Sequence, residues 1–131
     1  MNSPSVDRAA LRGLFEKYFE GRKERLLEFL LIFYTEMARD VLIGFFFREK
    51  NLQAIASKQA DFLWKAAGIS ATYTGQAPGT AHLGLAPILD GHFNRRLRLL
   101  ESNLRRIGAT PEEIAIWIAF ENAFRGAIVG H

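Results

Sequence analysis

The spacing of apolar residues along the chain is the feature that most restricts its fold. Between Leu26 and Met37, large apolar side chains recur three, four and seven positions apart, which places them on one face of a helix. Similar spacing returns in the stretches 51–67, 90–107 and 111–129, and alternation typical of β-strands is scarce. Glycine and proline concentrate in short breaks between these stretches. The pattern predicts an all-α fold.

Residues that favour helix ends locate the predicted helices. In chain order, we expect a first helix that starts near Ser5 or Asp7, a second over about 22–39, a third over about 51–67, a short turn over 80–85, a long helix over about 90–107 and a last one over about 111–129. Gly21 could kink the chain, but Lys17–Leu31 otherwise reads as nearly continuous helix. Asn51 and Thr110 are the expected caps of the third and last helices. The inner face of the long helix is expected to consist of Phe93, Leu97, Leu100, Leu104 and Ile107.

Composition limits the chemistry that the chain can support. Its 131 residues make one domain, and 49% hydrophobic positions with eleven Phe are enough for a buried core. The absence of cysteine excludes thiolate nucleophiles, iron–sulfur clusters and zinc–thiolate sites. Three histidines are too few for an all-histidine cage, so transition-metal chemistry would depend on one His or on a cofactor with its own ligands.

Charge and hydropathy predict the location of the protein and exclude two classes of partner. The net charge of +3 falls short of the dense basic stripes that nucleic-acid binders carry. No apolar run approaches the roughly 20 residues of a membrane span, and no secretory signal is visible at the N-terminus. We therefore expect a soluble, cytoplasmic protein that binds neither nucleic acid nor membrane.

A weakly structured segment that carries His82 separates two of the long predicted helices. Gly, Pro, Ser and Thr are frequent from Gly68 to Gly79, and Pro87 follows His82, so this segment would gain little stability by folding alone. It would be fixed if a large apolar group packed against it and bonded the imidazole, and haem does both. A surface or capping role would also explain His82.

Aromatic and polar side chains on the neighbouring helices favour the haem interpretation. They are Phe33-Tyr34, Phe45-Phe46-Phe47, and Gln59 followed by Phe62. A tyrosine hydroxyl and a glutamine amide in a dry pocket can donate hydrogen bonds to bound dioxygen, which carries partial negative charge. Core packing, with the polar tips reaching solvent or backbone, would also explain Tyr34 and Gln59.

In their order and near spacing, these residues resemble the truncated, two-over-two haemoglobins. The matching segments, within about 28–129, are Phe33-Tyr34 followed by Asp40, Phe46-Phe47, Lys58-Gln59-x-x-Phe62, Tyr73-Thr74-Gly75, Ala81-His82 and His92-Phe93. The resemblance implies a shortened globin in which two antiparallel helix pairs sandwich haem b. It also implies a single domain over 1–131, with 1–21 as an N-terminal helical extension and 22–131 as the globin core.

The resemblance implies roles for individual residues as well. His82 looks like the proximal iron ligand, and Tyr34 looks like the distal hydroxyl that faces the bound gas, with Gln59 beside it. Phe47 resembles the phenylalanine that stacks on the porphyrin edge, and Ile55 occupies the distal gate position. The other expected haem-contacting residues are Phe33, Phe46, Lys58, Phe62, Leu63, Tyr73, Phe93, Arg96, Leu97 and Trp117.

Three positions allow two interpretations each. Lys58 would reach a haem propionate or lie on a solvated helix face. His92 is a second candidate for the iron, but a hydrogen bond with loop backbone would explain it, so we assign the iron to His82. Arg96 stands where relatives commonly carry Trp or an aliphatic residue. It would either point inward to pair with a propionate or an anionic ligand, or extend outward into solvent.

The resemblance implies a haem protein that reversibly binds dioxygen, NO and CO at ferrous iron, as a monomer or weak homodimer. Conversion of NO to nitrate would make it an enzyme, and sustained turnover would require an external reductase. The alternative hypothesis is a cofactor-free helical interaction module whose arginine-rich face binds an acidic partner or nucleic acid. That face would consist of Arg95, Arg96, Arg98, Arg105 and Arg106.

Overall fold

The structure is a computed structural model that describes residues 7–69 and 87–130. Its elements in chain order are α1 (Arg8–Phe19), α2 (Lys23–Arg39), a 3₁₀ turn (Gly44–Phe47), α3 (Leu52–Ala66), α4 (Asp90–Arg106), α5 (Pro111–Asn122) and the single turn α6 (Arg125–Ile128). The all-α prediction is confirmed. The turn expected over 80–85 lies outside the described residues. Among the helices of the described part, none combines the length and apolar character needed to cross a bilayer.

Local hydrogen bonds explain where three of these helices begin. The carboxylate of Asp7 and the side-chain oxygen of Asn51 each accept a bond from the backbone N–H three residues further on, at 2.9 and 3.0 Å. Thr110 and Glu113 form a reciprocal capping box, in which each side chain accepts from the other's backbone N–H, at 3.2 and 2.9 Å. The predicted caps at Asn51 and Thr110 are therefore confirmed, and of the two candidates for the start of the first helix, Ser5 and Asp7, Asp7 is the cap.

The continuous helix expected over Lys17–Leu31 is wrong. Glu20 and Gly21 both adopt left-handed backbone conformations, with φ of +56° and +64°. Their N–H groups donate to the carbonyl of Phe15, which closes the end of α1. Glycine adopts this conformation readily, whereas for glutamate it costs about 1 kcal/mol. The break lets α1 turn back and pack against α2 and α5.

The last predicted helix is shorter than expected. α5 ends at Asn122, and the chain turns before the separate turn α6. This change of direction brings Val129 beside Ile88, where the two residues form a single parallel β-bridge, and the Gly130 N–H donates to the Ile88 carbonyl at 2.8 Å. Ile107 also differs from expectation: it follows the end of α4 and is 37% exposed instead of facing the core.

α2 holds the described helices together. It packs against α1, α3, α4 and the 3₁₀ turn, while α5 packs against α1 and α4. The largest fully buried side chains come from five helices and are Trp117, Phe15, Phe33, Leu11, Leu26, Leu30, Met37, Leu63 and Leu100. The 3₁₀ turn approaches α2 so closely that a Cβ on Gly44 would lie 2.6 Å from the carbonyl oxygen of Ala38. Glycine at this position therefore brings the turn and its phenylalanines against α2.

An ion pair ties α1 to the first turn of α5. The Nζ of Lys17 lies 2.8 Å from Oε2 of Glu113, and the Tyr18 hydroxyl donates to the same carboxylate. The bond from Lys17, followed by those from the Thr110 N–H and Tyr18, lowers the pKa of Glu113 from 4.5 to about 2.

We expect the Glu113 carboxylate to contribute to stability above about pH 4.5 and to lose that contribution as the pH falls towards 2. The sign follows because the folded-state pKa lies below the ordinary value of 4.5, so the unfolded chain binds the proton first. Urea midpoints measured across this pH range should show a flatter acid limb for Glu113→Gln than for the wild type. Glu112→Gln, at an exposed neighbouring position, is the control. The assignment is wrong if both variants keep the wild-type slope.

Candidate functional site

Aromatic side chains connect the C-terminal half of α2 to the 3₁₀ turn. Phe33 and Tyr34 are buried, with 1% and 5% of their surface exposed, and their ring centroids lie 5.6 Å apart. The ring of Phe47 meets Tyr34 edge-on at 5.9 Å. Phe46 contacts the imidazole of His92 at 5.1 Å between ring centroids. The structure therefore brings Phe33, Tyr34 and Phe47 together and places Phe46 against the start of α4.

α3 supplies a second wall beside α2, against which it packs closely. Ile55, Gln59 and Phe62 are partly buried and, at spacings of four and three residues, share one face of α3. The ring of Phe62 packs edge-on against Phe124 at 5.4 Å. Lys58, next to Gln59, is exposed.

Four side chains of α3 and the 3₁₀ turn leave apolar surface that a ligand could cover. Phe46, Phe47, Ile55 and Phe62 pack against the core but remain partly exposed to solvent. Covering such side chains is favourable by about 25 cal/mol per Å² of apolar surface removed from water. The porphyrin of haem is mostly apolar and brings four nitrogen ligands for its iron, so the protein needs to supply few metal ligands of its own. The residues present therefore fit haem.

The structure gives His92 a structural role. Its Nδ1 accepts a hydrogen bond from the backbone N–H of Leu89 at 3.0 Å, at the start of α4. The expectation that a hydrogen bond with loop backbone explains His92 is confirmed. The expected iron ligand His82 and the expected pocket residue Tyr73 lie outside the described residues.

Of the two interpretations of Arg96, the structure supports the inward one. The side chain is 21% exposed, and its Nε donates to Oε1 of Glu121 at 3.0 Å. The guanidinium carbon lies 5.1 Å from the ring centroid of Phe33 and 5.6 Å from that of Tyr34. Its Nη1 lies 3.7 Å from the sulfur of Met37. The partner of this cation is the carboxylate of Glu121, and the expected partners were a haem propionate or an anionic ligand.

Glu121 is the residue of this site that sequence reasoning missed. It is buried on α5, and its second carboxylate oxygen accepts from the indole Nε1–H of Trp117 at 3.3 Å. Burial by itself lowers the pKa of Arg96, but the Glu121 charge and the nearby Tyr34 outweigh it and raise that pKa above its ordinary value, so the guanidinium stays charged. The available signal was a carboxylate that interrupts the apolar stretch after Glu113, four residues after Trp117.

Three other expected haem contacts lie deeper in the core. Leu63, Phe93 and Trp117 are buried. The Trp117 ring packs against phenylalanines of α1 and α2, and the guanidinium of Arg125 covers the ring of Phe93 at 4.5 Å. Leu97 is half-buried on α4. The geometry therefore groups Phe33, Tyr34, Phe47 and Arg96 directly, whereas Trp117 belongs mainly to the core under α1.

Four of the five arginines of α4 form ion pairs with carboxylates of the same chain. The ion pairs are Arg95 with Asp40 at 2.7 Å, Arg96 with Glu121 at 3.0 Å, Arg105 with Glu101 at 3.2 Å and Arg106 with Glu36 at 2.8 Å. The bond from Arg95 lowers the pKa of the Asp40 carboxyl. Internal ion pairs account for most of the arginine-rich face, which weakens the interaction-module hypothesis.

Comparison with known proteins gives the family. A group 1 truncated haemoglobin of Chlamydomonas moewusii is 37% identical over 114 residues, which are 86% of this chain. The chain belongs to the truncated haemoglobin family. It spans 66% of the length of that relative. No family model matches the sequence.

A solved truncated haemoglobin agrees with the fold. The 2/2 haemoglobin from Synechococcus sp. PCC 7002, determined in the cyanomet state with covalently attached haem, superposes with a TM-score of 0.73. The match covers 90% of this chain and 98% of that one, at 21% identity. The expected shortened two-over-two globin fold is confirmed. Membership of the truncated haemoglobin family implies a haem cofactor.

Proposed function

We propose that this chain binds haem b and uses it to bind dioxygen, NO and CO reversibly at ferrous iron. The observation that carries the proposal is a buried tyrosine, Tyr34, near apolar side chains that are only partly buried. If these side chains were all aliphatic or aromatic, packing in the core would explain them without any ligand. A wall with a hydroxyl donor inside it suits a small electron-rich ligand.

The residues of the site would perform different parts of the function. Haem, when bound, supplies the iron that coordinates the gas. Phe47, Ile55 and Phe62 would cover the porphyrin and exclude water from the ligand side. Lys58, exposed on α3, would pair with a propionate at the solvent edge. His82 is proposed as the iron ligand, on the strength of the family resemblance.

Tyr34 and Gln59 would hold the gas. The hydroxyl of Tyr34 and the amide of Gln59 are hydrogen-bond donors on adjoining helices, α2 and α3. A donor in a water-free pocket interacts more strongly with a partly negative ligand than it would in bulk water. Dioxygen would therefore be retained in preference to CO, which carries less charge.

Oxidation of NO to nitrate is a secondary activity that we propose on the family resemblance. One NO, one dioxygen and one electron together make one nitrate, and bound ferrous haem would supply that electron. Each further turnover would need one electron from outside. The proposed donor is an external, cytoplasmic reductase.

Absorption spectroscopy of protein expressed with ample haem tests the main proposal. We expect one haem per chain, a Soret band in the ferric form, and a shift of that band on reduction and again on addition of CO. A well-folded protein that stays colourless under these conditions would contradict haem binding. That result would favour the cofactor-free interaction module.

A further inference from the structure

The charges of the partly buried Arg96 and the buried Glu121 have a fixed order within the fold. The Glu121 carboxylate lies between its two donors, the Trp117 indole at 3.3 Å and the Arg96 Nε at 3.0 Å. The Arg96 guanidinium lies on the opposite side of the pair, over the rings of Phe33 and Tyr34. The positive end of the pair therefore faces α2 and Tyr34, and the negative end faces Trp117.

Stability alone does not explain this pair. Removing two charges from water costs several kcal/mol per ion, and well-packed apolar residues of similar volume often stabilise a core equally well or better. The side chains that contact the pair include the buried Phe33, Met37 and Trp117, so its surroundings are largely apolar. A role in the electric field around Tyr34 is the more economical explanation for a charged pair at this position.

Resting on the proposed function, we propose that Arg96 determines ligand specificity by giving the Tyr34 side of the haem pocket a positive field that favours anionic ligands. Glu121 is a positioning residue, because its carboxylate fixes the guanidinium against α2. Low dielectric and exclusion of water increase the effect of one charge on another several Å away. The preference should be visible with azide, a small anion that binds ferric haem.

Substitutions of Arg96 and of Glu121 should change the azide affinity in opposite directions. Arg96→Met removes the cation and should weaken azide binding to the ferric haem protein about tenfold. Glu121→Gln removes the compensating negative charge, and the glutamine oxygen can still accept from Arg96. That variant should bind azide more tightly, by up to about tenfold. A structural role alone would give changes of the same sign, or none.

The C–O stretching frequency of the carbon monoxide complex gives a second measurement, which is independent of affinity. A positive field beside the ligand lowers this frequency, so we expect an upward shift in Arg96→Met and a downward shift in Glu121→Gln. Arg96→Lys keeps the positive charge, so its C–O frequency should lie closer to that of the wild type than the frequency of Arg96→Met does. Arg106→Met, which removes an exposed arginine of α4 paired with Glu36, should leave both measurements unchanged.

Failure of this inference and failure of the proposed function give different results. A wild-type chain that takes up no haem would overturn the proposed function. Normal haem content, with unchanged azide affinity and C–O frequency in both variants, would overturn the role of Arg96 alone. If Arg96→Met does not fold, Glu121→Gln decides the question: tighter azide binding supports the inference, and unchanged or weaker binding refutes it.

Discussion

Replacing His82 by alanine is expected to remove most of the haem from the purified protein. In the proposed site, this imidazole provides the bond from the chain to the iron, and the apolar walls alone would hold the porphyrin without fixing the metal. The assignment itself rests on the family resemblance. The rival histidine on a described helix, His92, already uses Nδ1 to accept the Leu89 N–H.

Haem content after desalting measures the effect. The ratio of Soret to protein absorbance should fall well below one haem per chain in His82→Ala and stay near one in the wild type. Free imidazole can occupy the space left by the side chain and bind the iron in its place, so its addition should restore much of the lost Soret intensity. Restoration would separate loss of the ligand from loss of the fold.

His92→Ala is the matched control. It removes a histidine that caps α4, so we expect normal haem content and a loss of about 1 kcal/mol of unfolding free energy. The reverse result, with haem lost in His92→Ala and kept in His82→Ala, would assign His92 as the iron ligand. It would leave membership of the truncated haemoglobin family unaffected.

The positions of the helices could be predicted from the sequence because they depend on local information. Apolar spacing identified α2, α3 and α4, and single side chains at Asp7, Asn51 and Thr110 fixed where helices begin. The ends were harder to predict. The break after α1 involves left-handed conformations of both Gly21, which the sequence marked as a possible kink, and Glu20, a residue type that carries no such signal. The end of α5 precedes a pairing with Ile88, far away in sequence.

The candidate site shows the same division between local and distant information. Phe33 and Tyr34 are adjacent in sequence, and their burial follows from the apolar face of α2. The direction of Arg96 could not be predicted, because inward and outward conformations are both open to an arginine near the edge of a helix face. Its conformation depends on Glu121, 25 residues further on, which only tertiary packing brings within 3.0 Å.

Tyr34→Phe is expected to speed the release of dioxygen by about 10- to 100-fold. A hydrogen bond to a charged or partly charged acceptor contributes roughly 1.5–3 kcal/mol, and about 1.4 kcal/mol corresponds to a factor of ten in rate. Bound dioxygen draws electron density from ferrous iron and is such an acceptor. Release can be followed by stopped-flow absorbance when the oxygenated protein is mixed with excess CO.

Two controls isolate the hydroxyl. The release of CO from the same variant should change much less, because CO is a weaker hydrogen-bond acceptor. Tyr18→Phe removes a hydroxyl that bonds Glu113 at the junction of α1 and α5, so it should leave dioxygen release unchanged. Equal acceleration in Tyr18→Phe and Tyr34→Phe would indicate a general loosening of the fold.

The substitution preserves the packing that the ring of Tyr34 makes. Phenylalanine keeps the contacts with Phe33 and Phe47 and remains beneath the guanidinium of Arg96. An unchanged rate of dioxygen release would therefore remove this hydroxyl as the donor and leave Gln59 as the remaining candidate among the predicted ligand-binding residues. A faster rate that Gln59→Leu does not reproduce would assign the donor to α2, because Tyr34 lies on α2 and Gln59 lies on α3.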